Sequence, residues 1–202
     1  MRRALLFLLA LLAPAALAFT EAEKRAIAAR SPWPPAFAPD PSNRASGQPE
    51  AIALGERLFF ERRLSANGAH SCSRCHLPER NWTDGEARAR GLVRVDRDTP
   101  GLANVRVHRW FGWDGAHDSL WAQSLRPLLD PRELGMSAAR VARLVREDRD
   151  LSCRYRKVFG AVPADDEAVL VGAAKALAAF QETLVSCTTT RRSVPTGCTD
   201  CR

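Results

Sequence analysis

The pattern C-x-x-C-H, formed by Cys72, Cys75 and His76, constrains this chain more than any other stretch of its sequence. Two cysteines at this spacing with a histidine directly after them are the attachment motif of c-type haem. The two thiols bond to the haem vinyl groups, and the histidine binds the iron. Two other readings stay open at this point. A zinc site needs one or two more ligands at ordered spacing, and a redox-active C-x-x-C is expected in a βαβ context.

The N-terminal residues follow the three-part plan of a secretory signal peptide. Arg2 and Arg3 precede an apolar run at 4–12, and Ala-Leu-Ala at 16–18 supplies a small-residue cleavage site. The apolar run is shorter than the ~20 residues that a membrane-spanning helix needs. We therefore expect cleavage after Ala18 and an exported, periplasmic protein without a membrane span. Export favours the haem reading, because c-type haem is attached outside the bacterial cytoplasm.

Charge and cysteine content restrict the partners. The chain carries a formal net charge of +7 without a basic patch interleaved with aromatic residues, so the sequence does not predict binding to nucleic acid. A mildly basic surface suits an acidic redox partner. Four cysteines remain outside the haem motif and could form disulfides in an oxidising compartment, but the sequence indicates no pairing among Cys153, Cys187, Cys198 and Cys201.

Helix signals recur along the chain, and no stretch alternates as a strand would. Thr20 and Glu23 predict a capping box for a short first helix, and prolines between 32 and 41 predict an extended linker. Residues 77–98 are polar, rich in Arg and Gly and without period, which is typical of a long loop. These patterns predict an all-α protein with long loops.

The helix predictions within this all-α arrangement are specific. One helix is expected over about 50–61, where small Ala51 and Gly55 allow close packing. Others begin after Asp118 or Ser119 and after Ser137. The longest is expected over about 165–185, with a buried face made of Val169, Leu170, Ala173, Leu177 and Phe180.

Several ordered motifs together resemble the bacterial di-haem cytochrome c peroxidase family, which includes the methylamine-utilisation di-haem enzymes. Besides the haem motif, the matching stretches are LGERLFF at 54–60, WTDG at 82–85, DTPGLANV at 98–105, WDG at 113–115, SLWAQ at 119–123, PRELG at 131–135 and FQETLVS at 180–186. The resemblance implies a cytochrome c-like fold. Members have two such domains, of which the N-terminal one binds peroxide and the C-terminal one relays electrons.

This chain corresponds to the first of those two domains. It departs from the family pattern at Cys187, and the remainder reads as the end of a truncated or frameshifted chain. The expected organisation is a signal peptide at 1–18, an N-terminal helix and proline-rich linker at 19–49, a cytochrome c-like haem domain at 50–186 and an irregular tail at 187–202.

The resemblance also assigns roles to residues outside the haem motif. Glu133 matches a distal-pocket glutamate that moves a proton between the two oxygens of peroxide, and Gln123 matches a glutamine that hydrogen-bonds the ligand. Trp113 matches a tryptophan between the two haems that conducts electrons. Asp98 falls where the family has an asparagine that helps to bind calcium. Without the resemblance, Glu133 and Gln123 would be read as solvated polar residues. Trp113 would be read as a core aromatic, and Asp98 as a capping residue.

The implied activity is reduction of hydrogen peroxide to water by one covalent haem c, with electrons from a small redox protein such as a cytochrome c or a cupredoxin. Many family members carry an inhibitory histidine on the loop after the motif, and residues 77–98 contain none. His70, His108 and His117 do not match its place, and we read His70 and His108 as surface or loop residues. We therefore expect an open or water-bound sixth position on the iron.

Three alternatives remain from the sequence. A mono-haem electron-transfer cytochrome would use His76 and Met136 as the two axial ligands. A zinc-binding or disulfide-rich exported protein would use Cys198 and Cys201. The chain could also be an inactive fragment.

Overall fold

A computed structural model describes residues 19–29 and 36–186. These residues fall into two units, one ending at Phe37 and the other beginning at Ala38. The first unit contains α1 (Glu21–Ala28), whose N-terminus has the predicted capping box of Thr20 and Glu23. The helices of the second unit, in its described part, are α2 (Pro49–Phe59), α3 (Leu120–Leu129), α4 (Ala138–Glu147), α5 (Arg149–Phe159) and α6 (Asp166–Gln181).

The predicted all-α class is confirmed. Short 3-10 helices occupy Cys72–Arg74, Pro78–Arg80 and Val105–Val107. Across 19–29 and 36–186 there is no β-strand, only isolated bridges. No helix in the described part of the chain is long and apolar enough to cross a membrane. The predicted signal peptide at 1–18 and the irregular tail at 187–202 lie outside the described residues.

Helix α6 is the centre of the second unit. Asp165 caps its N-terminus by accepting hydrogen bonds from the backbone N–H groups of Glu167 and Ala168. The predicted buried face is confirmed, and residues on the other sides of the helix, such as Ala174 and Ala178, are buried as well. A helix that is apolar all round belongs in the middle of a core, and α2, α3 and α4 all pack against α6.

Gly55 is the point of closest approach between α2 and α6. A Cβ atom built on Gly55 would collide with the backbone carbonyl of Ala176 and would lie 2.9 Å from the Cβ atom of Phe180. The close packing that the sequence predicted for this position is therefore present. It brings Phe59, at the end of α2, against the ring of Phe180, with 5.2 Å between the ring centroids.

Helix α5 was missed by the sequence analysis. Its residues are mostly charged or polar, so the apolar period is faint, but Leu151 and Tyr155 form one buried stripe at a spacing of four. The signals that could have found it are its caps. Asp148 accepts a hydrogen bond from the backbone of Leu151, and Gly160 ends the helix with a φ of 87°.

Candidate functional site

A cavity of about 790 Å³ opens between α2, α3, α6 and the irregular segments that connect them. This volume lies within the range of sites that take small molecules and cofactors. All the residues to which the haem motif and the family resemblance gave a role line its wall, although they are spread over more than sixty positions: Cys72, Cys75, His76, Asp98, Trp113, Gln123 and Glu133. Phe59 of α2 and Leu177 of α6 are also part of the wall.

The two cysteines of the motif are free thiols. Burial raises the pKa of Cys72 to about 12 and also raises the pKa of Cys75. A redox-active C-x-x-C needs a lowered thiol pKa, so these thiols do not suit that chemistry. Nor does the described part of the chain gather three or more His, Cys, Asp or Glu side chains where they could hold a metal ion, as zinc would require.

His76 is positioned through one ring nitrogen. Its Nδ1 lies 2.8 Å from the backbone carbonyl oxygen of Trp82. An Nδ1–H that donates to this carbonyl leaves Nε2 as the unprotonated nitrogen, which is the arrangement of a metal-binding histidine held by a second partner. Burial lowers the pKa of His76, while the contact with Trp82 and the charge of Asp84 oppose this shift. The ring is therefore held neutral and in one tautomer.

The backbone that supplies this carbonyl has an unusual conformation. Asn81 and Trp82 have φ values of 58° and 61°, a region that bulky side chains seldom adopt. Two hydrogen bonds hold the turn, from the Trp82 N–H to the Leu77 carbonyl at 2.8 Å and from the Thr83 N–H to the Arg80 carbonyl at 3.2 Å. Strained backbone of this kind is found where a site needs it, and here it points the Trp82 carbonyl at His76.

Glu133 lies in a turn that follows α3. Its backbone N–H donates to the Asp130 carbonyl at 3.0 Å, and its own carbonyl accepts from the Leu92 N–H at 3.0 Å. The side chain is half-buried, and within the described residues it makes no hydrogen bond or ion pair. Burial, followed by the charge of Asp130, raises the pKa of Glu133, and the charges of Arg126 and Arg132 oppose this effect only in part. A carboxyl group with a raised pKa is suited to moving protons near neutral pH.

Gln123 lies on α3 and has an unusual polar atom. Its Oε1 is buried, and no group in the described part of the chain hydrogen-bonds to it. Such an atom normally has a partner, so its place in the cavity wall suits a ligand that can donate a hydrogen bond. Gly112 makes room for it, because a Cβ atom there would lie 3.0 Å from Oε1, and its φ of 82° favours glycine.

Trp113 and Asp98 lie together at the outer part of the wall. The indole Nε1 of Trp113 donates to the backbone carbonyl of Asp98 at 3.0 Å, and half of the tryptophan side chain is exposed. The alternative of a core aromatic is therefore wrong for Trp113. No carboxylates from the described residues gather around Asp98 to complete a metal site, so calcium binding there stays a prediction.

The second axial ligand in the electron-carrier alternative is Met136, and it lies outside the cavity. Met136 is 6 % exposed and packs in the main apolar core, and it is absent from the described residues that line the cavity. His70 and His108 lie in irregular segments, as expected, but both also line the cavity. His117 pairs its backbone with Phe111 and is not part of the wall.

Sequence analysis assigned no role to Asp84, although it quoted the motif that contains it. Asp84 is buried, and its carboxylate accepts hydrogen bonds from the Thr99 hydroxyl at 2.9 Å and from the Glu86 N–H at 3.1 Å. Its charge acts on both His76 and Cys75. The signal available in the sequence was its place eight residues after the motif histidine.

The residues present fit a covalent haem. Two free thiols, a neutral histidine with one nitrogen already engaged and an unpartnered amide oxygen all face one cavity of suitable volume. Cys72 and Cys75 would carry the thioethers, and His76 would bind the iron.

Comparisons with known proteins identify a family for this chain. Residues 49–193 match the family described as di-haem cytochrome c peroxidase. The methylamine utilization protein MauG of Methylorubrum extorquens is 39% identical over 140 residues, which cover 68% of this chain and 39% of that protein. The cytochrome c551 peroxidase of Nitrosomonas europaea is 30% identical over 162 residues, which cover 79% of this chain and 46% of that protein.

Solved structures show the same similarity in three dimensions. A MauG-like protein associated with microbial copper homeostasis superposes with a TM-score of 0.62 at 33% identity, over 77% of this chain and 47% of that one. The di-haem peroxidase BthA of Burkholderia thailandensis gives 0.61 at 28% identity, over 73% and 40%. The chain spans less than half the length of these relatives. By its sequence and its fold, it belongs to the di-haem cytochrome c peroxidase family.

Proposed function

We propose that this chain is an exported haem protein that reduces hydrogen peroxide to water. In the proposal, Cys72 and Cys75 carry one covalent haem c, His76 binds the iron, and a small redox protein supplies electrons. The observation that carries the proposal is that Glu133 and Gln123 share one cavity with the C-x-x-C-H motif. The family supports haem chemistry in general, and these residues support the reaction with peroxide in particular.

Haem bound at this site supplies an iron centre that can exchange electrons with peroxide. The reaction takes up two electrons and two protons for each peroxide, and two waters leave. The raised pKa of Glu133 allows its carboxylate to take the proton from one peroxide oxygen and return it to the other. Gln123 Oε1 can accept a hydrogen bond from the bound peroxide and fix its orientation.

His76 contributes as the residue that would hold the iron. Donation from its Nδ1–H to the Trp82 carbonyl increases the basicity of Nε2 and fixes the plane of the ring. The rings of Phe59, Trp82 and Phe180 pack around one another behind it, with centroids 5.2–6.2 Å apart. Of these rings, Phe59 contacts the imidazole of His76, with 6.2 Å between the ring centroids, and adds to the burial that lowers the pKa of His76. In the proposal, Trp113, which is half-exposed in the cavity wall, conducts electrons to the haem.

The first test is whether haem is attached and reacts with peroxide. The full chain is produced in a host with cytochrome c maturation, denatured and stained for haem, and the ferric protein is then mixed with hydrogen peroxide in a stopped-flow spectrometer. We expect covalent haem, a high-spin or water-bound ferric spectrum, and a reaction that needs no prior reduction. A low-spin spectrum with a sulfur-to-iron band that Met136→Ala abolishes, together with no reaction with peroxide, would support the electron carrier instead.

A further inference from the structure

Asp84 is a buried carboxylate near the haem motif that has no part in the chemistry above. It is 8 % exposed and is not among the residues that line the haem cavity. Its Oδ2 accepts a hydrogen bond from the Thr99 hydroxyl at 2.9 Å, and its Oδ1 accepts one from the backbone N–H of Glu86 at 3.1 Å. Both donors are neutral, so they satisfy the oxygens of the carboxylate without cancelling its charge.

No cation pairs with this carboxylate either. Within the described residues Asp84 forms no ion pair, in contrast to Glu61, a similarly buried carboxylate that pairs with Arg57 and Arg63. Arg80 donates to the backbone carbonyl of Asp84, at 2.8 Å, and not to its carboxylate. Because Arg80 is exposed, water and salt screen its charge more than they screen the charge of a buried group.

The carboxylate is held where two segments meet at His76. The first segment contains Trp82, whose carbonyl oxygen lies 2.8 Å from Nδ1 of His76. The second contains Thr99 and Pro100, and the backbone of Pro100 also acts on the ring of His76. The segments are joined twice, because the Thr83 hydroxyl donates to the Thr99 carbonyl at 2.6 Å and the Thr99 hydroxyl donates to the carboxylate.

The charge of Asp84 reaches the site through His76. Burial lowers the pKa of His76, and the charge of Asp84 opposes this shift. Burial raises the pKa of Cys75, and the charge of Asp84 raises it further. A fixed negative charge favours the more positive of two states of a neighbouring centre, and ferric haem carries one more positive charge than ferrous haem. Burial and the groups behind an axial ligand are levers on the potential of a haem.

We propose that Asp84 is a positioning residue that acts on the haem through His76: its fixed negative charge lowers the reduction potential and keeps the resting iron ferric. Thr99 is part of this arrangement, because its hydroxyl holds the carboxylate in its buried position. Ferric iron is the state that reacts with peroxide in the proposed function, so the inference rests on the haem of that function.

The test measures the ferric/ferrous midpoint potential of the full chain with haem, by spectroelectrochemical titration at pH 7 with redox mediators. Asp84→Asn removes the charge but keeps the size of the side chain and an oxygen that can accept a hydrogen bond. At an effective dielectric constant of about 20, a unit charge shifts an equilibrium at a charged centre about 12 Å away by roughly tenfold. We therefore expect Asp84→Asn to favour the ferrous state about tenfold, which is a potential about 59 mV more positive.

Glu79→Gln is the matched control for the loss of one negative charge. Glu79 is an exposed carboxylate three residues after His76, in the 3-10 helix Pro78–Arg80. Screening by water and salt should leave the potential of this variant close to that of the parent. An unchanged potential in Asp84→Asn, or equal shifts in Asp84→Asn and Glu79→Gln, would overturn the proposal.

Thr99→Val tests the placement of the charge. The variant keeps the carboxylate but removes the hydroxyl that holds it, so the potential should rise, by less than in Asp84→Asn. This measurement also serves if Asp84→Asn attaches no haem. A potential of Thr99→Val equal to that of the parent would then contradict the proposal.

A double-mutant cycle separates the two contacts of the Thr99 hydroxyl, since a hydrogen bond also joins the side chains of Thr99 and Cys75. If Thr99 acts by holding the carboxylate, Thr99→Val should cause little further shift in the Asp84→Asn background. The same shift in both backgrounds would overturn the role of Thr99 in placing the charge.

The role of Asp84 and the peroxidase reaction can fail separately, because the potential is measured without peroxide. Haem staining of the denatured protein comes first, and a chain without covalent haem would overturn both. A potential that rises in Asp84→Asn, in a protein whose ferric haem ignores peroxide, would refute the peroxidase reaction and support the role of Asp84. A protein that reacts with peroxide but has the same potential in the parent and in Asp84→Asn would refute only that role.

Discussion

Glu133 combines a half-buried carboxyl group, a raised pKa and a place in the haem cavity. We expect Glu133→Gln to attach haem normally and to react with peroxide 10²- to 10⁴-fold more slowly, because the amide keeps the shape but cannot take a proton. Gln123→Ala removes one hydrogen bond and no proton transfer, so its effect should be smaller. The rate comes from stopped-flow mixing of the ferric protein with peroxide. Glu147→Gln, exposed at the end of α4, is the matched control.

The pH dependence of this reaction follows from the same residue. Glu133 acts as a base only when ionised, and burial places its pKa above the ordinary value of 4.5. The rate with peroxide should therefore rise with pH through that raised pKa and level off above it, whereas Glu133→Gln should lack this rise. A parallel pH profile for the parent and Glu133→Gln would assign the titration to another group.

At the residue scale, the sequence predicted which side chains form the site better than it predicted the backbone groups that hold them in place. The motif cysteines, His76, Glu133 and Gln123 all reach one cavity, because a covalent attachment motif and a few matched stretches specify residue types directly. The partner of His76 could not be predicted, since it is a backbone carbonyl aimed by positive φ values at Asn81 and Trp82. Such a conformation depends on tertiary contacts and leaves no pattern in residue type.

The contact between helices α2 and α6 gives a prediction at the scale of elements. By helix propensity alone, Gly55→Ala would stabilise the fold by roughly 0.5–1 kcal/mol. The carbonyl of Ala176 occupies the space of the new methyl group, so we expect instead a loss of about 1–3 kcal/mol, as in overpacked cores. Urea unfolding measures the difference in free energy. The sign of this difference distinguishes the two expectations. A gain in stability would mean that the helices can separate at this point.

A second prediction concerns the junction between α2 and α5. Glu61, just after α2, is 6 % exposed and accepts hydrogen bonds from the guanidinium groups of Arg57 and Arg63, and Arg63 also contacts Asp148, the N-cap of α5. The hydrogen bond from Arg63 is the main reason that the pKa of Glu61 falls to about 2. Glu61→Gln should lose about 1–3 kcal/mol of unfolding free energy at neutral pH.

This loss should depend on pH in a defined direction. A carboxylate with a lowered pKa stabilises the fold fully above its ordinary pKa, and that contribution disappears as the pH falls through the lowered value. The difference between the parent and Glu61→Gln should therefore be largest above pH 4.5 and shrink towards pH 2. Urea unfolding at pH 7 and pH 3 tests it, with exposed Glu50→Gln as the control. A constant difference at both pH values would show that the ion pairs are not its source.

A helix with a clear apolar pattern could be predicted from the sequence, and a helix without one was missed. Helix α6 was expected with nearly its observed bounds, since its caps and its continuous apolar sequence agree. Helix α5 was missed, because its stability comes from burying Leu151 and Tyr155 against neighbours that are distant in sequence. Residues 77–98 were predicted as a long loop and are irregular apart from the 3-10 turn Pro78–Arg80, but their course around the cavity is set by contacts such as Leu92 N–H to the Glu133 carbonyl.

At the scale of the whole molecule, the haem cavity lies between packed helices on one part of its wall and irregular segments on the rest. Helices α2, α4, α5 and α6 bury a continuous apolar core. The cavity of about 790 Å³ is bounded on its other sides by irregular segments within residues 70–113. Segments with few buried apolar contacts open at a lower free energy than core helices, and a ligand stabilises whatever binds it. Attached haem should therefore stabilise these segments more than the helices.

The stabilisation of the irregular segments by haem can be measured by removing both thiols that attach it. We expect Cys72→Ala/Cys75→Ala, produced without attached haem, to lose amide protection from hydrogen exchange across residues 70–113 while α4, α5 and α6 keep most of theirs. Hydrogen exchange followed by mass spectrometry reports both regions in one experiment. Ser73→Ala is the control, because it changes the motif but keeps both cysteines and His76. Equal loss across loops and helices would mean that the fold is one cooperative unit that requires haem, since the apolar core alone would then be too weak to hold the helices together.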